Sequence, residues 1–394
     1  MRYKAVTNSK HDMTLHFKSK LPYISTHIFS HMTGLANQYG ALNLSQGFPN
    51  FEPSQQLQDL VTKCLGENTN QYAPMAGLPL LREQIAVKLL NTMNVEVNPD
   101  TEVTVGCGAT EMIFDTIAAF IYPGDEVVII EPGYDCYRPA IDVVGGKPVV
   151  YKMAAPAFKI DWIEFAKCIS PKTRMIIIST PNNPTGTVLT ADDMAALLKL
   201  VEATNIILLS DEVYEHMVFD GHIHISPLQY PGLRERTVAV YSFGKTLHIT
   251  GWRVGYAVAP VELTAEIRKV HQNAVFSVSH PLQKAIALYI SQNNEYIQLP
   301  QFYQRKRDLF LQSMAVTKLK PLSCEGSYFQ LFDYSAVSTD DDFTFCETLI
   351  KQYGVAAIPV SRLYIDNHDD KIIRFCFAKT DDVLLEAGNR LREL

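Results

Sequence analysis

The chain has 394 residues, 47% of them hydrophobic and 20% charged, with a formal net charge of -7. Such a chain buries a large core, divided between one large and one smaller domain, and disorder as the main state is excluded. The negative balance gives no reason to expect nucleic acid or an anionic membrane as partner, because phosphates attract basic faces; small molecules are expected instead.

The start, "MRYKAVTNSKHDMTLHFKSKLP", has no signal-peptide core, and its His, Asp and Lys residues break any transit-peptide amphipathicity. It reads as a frayed tail. No apolar run approaches the roughly 20 residues that span a bilayer. The seven cysteines are scattered, with no C-x-x-C pair, which predicts reduced thiols in a cytoplasmic protein and no metal site.

From about residue 100 the runs "EVTVG", "DEVVIIEPG", "KPVVYKM", "TRMIIIST", "NIILLSDEVY", "RTVAVYSFG" and "RVGYAVA" read as β-strands. Between several of them lie helical segments such as "ATEMIFDTIAAFIY" and "TADDMAALLKLVEAT". Continuous apolar strands alternating with amphipathic helices predict an α/β domain with a mainly parallel sheet covered on both faces. After residue 290, "NNEYIQLPQFYQRKRDLFLQSMAV" reads as one long helix, "SYFQLFDYS", "GVAAIPV" and "KIIRFCFA" as strands, and "DDVLLEAGNRLREL" as a closing helix. The expected division is a large domain over 49–289 and a smaller α+β domain made of 1–48 and 290–394.

Two strands, "IIISTPNNPTG" and "IILLSDEVYE", run straight into polar residues. Ligands of open α/β sheets gather at the carboxyl ends of strands, so these exits are expected to line one site. "VGCGATE" holds a G-x-G between strand and helix, but Glu111 stands where a dinucleotide fingerprint needs a third glycine. A nicotinamide enzyme is therefore a distant reading, although the helix start can still hold a phosphate. Ser242 and Lys245 match S-x-x-K, yet the S-D-N and K-T-G partners of penicillin-binding enzymes are missing.

Lys245 follows a strand and a glycine, where partial burial favours the neutral, nucleophilic amine, and Arg253 nearby adds to that effect. Alone it would read as a surface lysine. Asp211 ends a central strand, where a buried carboxylate needs a cation; a pyridinium nitrogen would supply one. Glu212 and Glu215 read as structural or solvated. Asn183 sits in a turn stiffened by Pro184 and Gly186, placed to hydrogen-bond a phenolic oxygen.

The ordered set G-A-T, an aromatic after E-P, N-P-T-G, D-x-x-Y, S-x-x-K and R-x-G-Y resembles the fold-type-I pyridoxal-phosphate enzymes, the class I aminotransferases. "LSQGFP", "NQYAPMAG", "SFGKT", "GWRVGY" and "CFAK" are similar to the methionine aminotransferase and kynurenine/glutamine transaminase branch. The resemblance implies that pyridoxal 5'-phosphate (PLP) is bound to Lys245, which then moves the substrate proton. Asp211 would pair with the ring nitrogen and Tyr214 and Asn183 with the ring hydroxyl, while Tyr134 would stack on the ring. Gly108, Ala109, Thr110, Ser242 and Arg253 would bind the phosphate, with the hydroxyl of Thr110 the least secure of these contacts. Tyr72 would reach the phosphate in the other subunit of a homodimer.

Arg374, between apolar neighbours, would fork onto the substrate carboxylate, and Gly47 would let backbone approach the same group. Phe276 either projects onto the partner's substrate or fills a core or interface, and His280 is unassigned. The implied reaction is ping-pong transamination between an L-amino acid and a 2-oxo acid. Methionine stands first as donor, followed by aromatic amino acids, glutamine or kynurenine. The alternative is a PLP-dependent carbon–sulfur lyase of the same fold; a cofactor-binding transcription regulator would need a DNA-binding module for which no room exists. The turn that aims Asn183 predicts a cis Asn183–Pro184 bond.

Overall fold

A computed structural model describes residues 18–24 and 27–394. The reading of residues 1–17 as a frayed tail lies outside the described residues.

All seven predicted runs are strands of one sheet. Their spatial order is Val103–Gly106, Gly255–Val258, Thr237–Ser242, Ile207–Asp211, Thr173–Ser179, Glu126–Glu131 and Lys147–Lys152. The last five of that order pair in parallel, whereas Gly255–Val258 runs antiparallel to both its neighbours. Alternation explains why the central strands carry apolar residues on both faces. Val127, Ile129, Met175, Ile177 and Leu209 face the helix Ala109–Phe120, while Val128, Ile176, Ile178 and Leu208 face the helix Ala191–Val201. Each face has its own helix to cover it, so neither set of side chains meets water. Burying one such side chain contributes about 1.5–3 kcal/mol. The helix Ala191–Val201 starts in a capping box, in which the Thr190 and Asp193 side chains reciprocally accept backbone N–H groups.

A smaller antiparallel sheet holds Ile358–Pro359, Ile372–Cys376, Phe329–Asp333 and Lys320–Pro321, in that order. Here the structure corrects two expectations. "GVAAIPV" is two strands, Val355–Ala356 pairing in parallel with Leu42–Asn43, and Ile358–Pro359 joining the smaller sheet. Pro359, without an N–H, cannot prolong a ladder. The long helix after residue 290 is likewise divided, into a 3-10 turn Glu295–Gln298 and the helix Leu299–Met314. Pro300 lies in the first turn of that helix, where its missing N–H has no intrahelical partner to lose.

The core beneath the smaller sheet also takes in Tyr214, Met217 and Phe219, the chain just beyond Asp211, against Tyr328 and Phe329. This packing brings the smaller sheet over the carboxyl ends of the large one. Among the described residues, no helix is long and apolar enough to cross a membrane.

Candidate active site

The strands Thr173–Ser179, Ile207–Asp211 and Thr237–Ser242 end side by side, and each leads directly into a polar group of the site. A cavity of about 290 Å³ lies between these ends and the smaller sheet. Ala109, Thr110, Tyr134, Asn183, Asp211, Tyr214, Ser242, Lys245, Arg253, Arg374 and Gly47 all line it. A larger cleft of about 760 Å³ opens beside it, sharing Tyr134, Thr110, Asp135 and His27.

Lys245 stands in the short helix Phe243–Thr246, which continues the strand Thr237–Ser242. Its Nζ donates to Tyr328 Oη at 2.8 Å and to the Gly47 carbonyl at 3.2 Å. Desolvation lowers its pKa to about 8, while the repulsion from Arg253 and Arg374 is outweighed by the opposing effect of Cys376 and Asp211. A lysine so placed is a nucleophile near neutral pH.

Asp211 is 4% exposed. Tyr137 donates to its Oδ2 at 2.6 Å and the Val213 N–H to its Oδ1 at 3.3 Å. Burial raises its pKa, opposed by those two hydrogen bonds and the Lys245 charge. The carboxylate therefore suits a cationic ring nitrogen better than an empty apolar floor.

Gly108, with φ of 84°, caps the helix Ala109–Phe120. A Cβ there would come within 2.6 Å of Arg253 Nη2, so only glycine lets the guanidinium close over this turn. Helix geometry leaves the first-turn N–H groups without intrahelical acceptors, which together with Arg253 makes a cup for an anion. The Thr110 hydroxyl lies 3.3 Å from Tyr134 Oη, so it is already shared with the aromatic residue above it. Ser242 is buried at the end of its strand, on the rim of the same cavity.

Arg374 is 1% exposed. Its Nη1 donates to Asn183 Oδ1 at 2.8 Å and its Nη2 to the Ser45 carbonyl at 3.0 Å, while Nε has no partner among the described residues. The guanidinium lies 3.9 Å from the centre of the Phe329 ring. Such an arginine is positioned for a carboxylate. The Asn183–Pro184 bond is cis, as expected. At Gly47 a Cβ would meet Phe329 Cζ at 2.7 Å, so the glycine there is required by a ring.

Tyr72 and Phe276 do not line the cavity. They are 81% and 45% exposed, and their rings meet edge to face at 5.2 Å on the surface. His280 accompanies them, its Nδ1 3.2 Å from the Gln71 carbonyl. Glu212 and Glu215 are structural: both are buried, Glu215 paired with Lys88 at 2.6 Å and Glu212 bonded to Ser210, Ser226, His224 and Tyr241. Sequence reasoning missed Tyr137, Tyr328 and Phe329. Tyr137 begins the helix that follows Tyr134, its ring meeting the Tyr134 ring edge to face; no local pattern marks the other two.

A sequence-family model described as aminotransferase class I and II matches residues 40–391. The chain is 48% identical over 380 residues to methionine aminotransferase of Escherichia coli strain K12, covering 96% of this chain and 98% of that protein. It is 33% identical to human kynurenine–oxoglutarate transaminase 1, over 91% of this chain and 93% of the relative. The solved structure of YbdL from Escherichia coli, described as having a methionine aminotransferase function, superposes with a TM-score of 0.95 at 47% identity, covering 97% of this chain and all of that one. The chain belongs to the class I and II aminotransferase family, and it is an aminotransferase of the fold-type-I architecture.

Proposed function

We propose that this enzyme moves the amino group of an L-amino acid, methionine first, to a 2-oxo acid, using pyridoxal 5'-phosphate held at Lys245. The observation that carries the reading is the meeting of Lys245, Asp211 and Arg374 in one cavity. The relationship to methionine aminotransferase supports methionine as donor, and that to the kynurenine–oxoglutarate transaminase supports kynurenine as a further one; aromatic amino acids and glutamine complete the proposed range.

The residues present fit the cofactor. A buried carboxylate faces the cavity, a glycine cradle lies beneath Arg253, and Arg374 keeps one N–H unsatisfied. Lys245 would hold the cofactor aldehyde, Asp211 the ring nitrogen, Asn183 and Tyr214 the ring oxygen, and Tyr134 the ring face. Gly108, Ala109, Thr110, Ser242 and Arg253 would hold the phosphate. When bound, the cofactor supplies an electron sink for the substrate Cα and carries the amino group between the two half-reactions.

The chain's own groups do the rest. Arg374 fixes the substrate carboxylate beside Gly47, which orients the Cα hydrogen toward Lys245. The desolvated amine of Lys245 takes that proton and later returns one. Because donor product leaves before the acceptor enters, initial rates plotted for both substrates form parallel lines.

Exposure of Tyr72 and Phe276 together supports a homodimer in which both reach the partner's site. The seven-stranded sheet within 103–258 and the smaller sheet within 320–376 support the division into domains 49–289 and 1–48 with 290–394. The absence of a disulfide among the described residues suits the cytoplasm.

The test is the absorbance spectrum of purified protein. A visible band that L-methionine bleaches and a 2-oxo acid restores, absent from Lys245→Ala, is the expected result. Ammonia accumulating without an acceptor would replace transamination by the lyase; no band after PLP is supplied would sink both.

A further inference from the structure

His271, wholly buried in the last turn of the helix Val261–Ala274, touches three parts of the molecule that the reaction needs. Its Nε2 lies 3.1 Å from the Met75 carbonyl oxygen and its Nδ1 2.6 Å from Glu111 Oε1. A carbonyl only accepts, so Nε2 carries a hydrogen. Glu111 Oε2 in turn accepts the Cys107 N–H. Burial by itself would lower the pKa of His271, but the Asp115 and Glu111 carboxylates beside it lift it to about 9.

Each contact leads to a different part of the site. Through Glu111, His271 fixes Cys107, the residue before Gly108 in the phosphate cup. Met75 belongs to the segment that carries Tyr72, whose neighbours are tied to the same turn: Ser277 Oγ donates to the Ala73 carbonyl at 2.9 Å, and His280 meets the Gln71 carbonyl. The His271 carbonyl itself accepts the Val275 and Phe276 N–H groups, each at 3.0 Å, and holds Phe276 in its left-handed conformation at φ 70°.

Asp115, with Oδ2 3.5 Å from Nδ1, completes a trio whose ligand atoms lie within 4.8 Å of one another.

We propose that His271 is a positioning residue that ties the phosphate cup of its own subunit to the Tyr72–Phe276 pair the subunit lends to its partner. The inference rests on the functional reading above, which supplies the cofactor and the dimer. It links the phosphate cup to the Met75 segment that carries Tyr72 through one buried ring, while the carbonyl of the same residue holds Phe276.

The test is PLP affinity of the apoenzyme, titrated through tryptophan fluorescence, in a double-mutant cycle of His271→Gln with Tyr72→Phe. Each single change is expected to weaken binding about tenfold, the size of one lost hydrogen bond to a charged group. The double variant should lose less than the product of the two, because Tyr72 is already misplaced once His271 is gone. Ser277→Ala, a mild change at a part-buried residue, repeats the cycle if His271→Gln does not fold, and should also be non-additive with Tyr72→Phe. Strictly multiplicative losses, or wild-type affinity in both His271→Gln and Ser277→Ala, overturn the proposal. Tyr72→Phe without effect overturns the link to the partner subunit. Failure of the wild type itself to bind PLP through Lys245 would instead overturn the functional reading beneath it.

Discussion

Tyr137 donates its hydroxyl hydrogen to Asp211 Oδ2 at 2.6 Å, from a helix that starts one turn beyond Tyr134. The tyrosine thereby favours the charged form of a carboxylate that burial alone would neutralise. Tyr137→Phe is expected to raise the Asp211 pKa and move the acid limb of the kcat profile to higher pH. At neutral pH kcat should fall roughly tenfold, the typical worth of such a bond. The pH profile of both proteins with L-methionine checks this.

Lys245 has a pKa of about 8 in a cavity that penalises its charge. Desolvation favours the neutral amine, so its nucleophilic form rises between pH 7 and 9, well below the range of an exposed lysine at about 10.4. Labelling of the apoenzyme with an amine-reactive probe across pH, read by peptide mass, should give a midpoint near 8 at this residue. A midpoint above 10 would refute the account.

Arg374→Lys keeps the charge and loses the fork, together with the bond to Asn183. The expected loss in kcat/KM for methionine is about a hundredfold, that is ~2.7 kcal/mol at 1.36 kcal/mol per factor of ten. An amine donor without a carboxylate should show no such loss, which separates carboxylate recognition from general damage.

Gly47→Ala would drive a methyl into the Phe329 ring, which is itself buried and covered by Arg374. Overpacking of this kind costs about 1–3 kcal/mol. A lowered Tm is expected, and activity should fall with it because the Gly47 carbonyl accepts from Lys245.

Lys88→Met leaves Glu215 buried without its cation. Breaking one partner of a buried pair costs about 3–5 kcal/mol, whereas replacing both by apolar residues of similar volume is nearly neutral. Urea denaturation of Lys88→Met and of Lys88→Met with Glu215→Leu should therefore separate clearly, the double variant being the more stable.

Much of this molecule was legible in order along the chain. Seven apolar runs became seven strands, because strands covered by helices on both faces bury side chains on both sides. Asn183, Asp211 and Lys245 could be assigned since each lies within a few residues of a strand end, and connected strands in a parallel sheet share one carboxyl edge. Punctuation was the weak point: Pro300, in the first turn of its helix, and the switch of sheet at Ala357 divided elements that composition alone had joined.

Tertiary structure alone decided the rest. Tyr137 reaches Asp211 from 74 residues away and Tyr328 reaches Lys245 from 83, separations that no periodicity encodes. The same holds for His271 beneath the phosphate cup, for the burial of Glu215 against Lys88, and for the pairing of Tyr72 with Phe276 on an exposed edge. Local pattern determines which backbone a segment adopts, since hydrogen bonding and side-chain alternation are properties of neighbours. Which distant side chains desolvate and bond one another is settled only when the sheet, its helices and the smaller domain close around the same cavity.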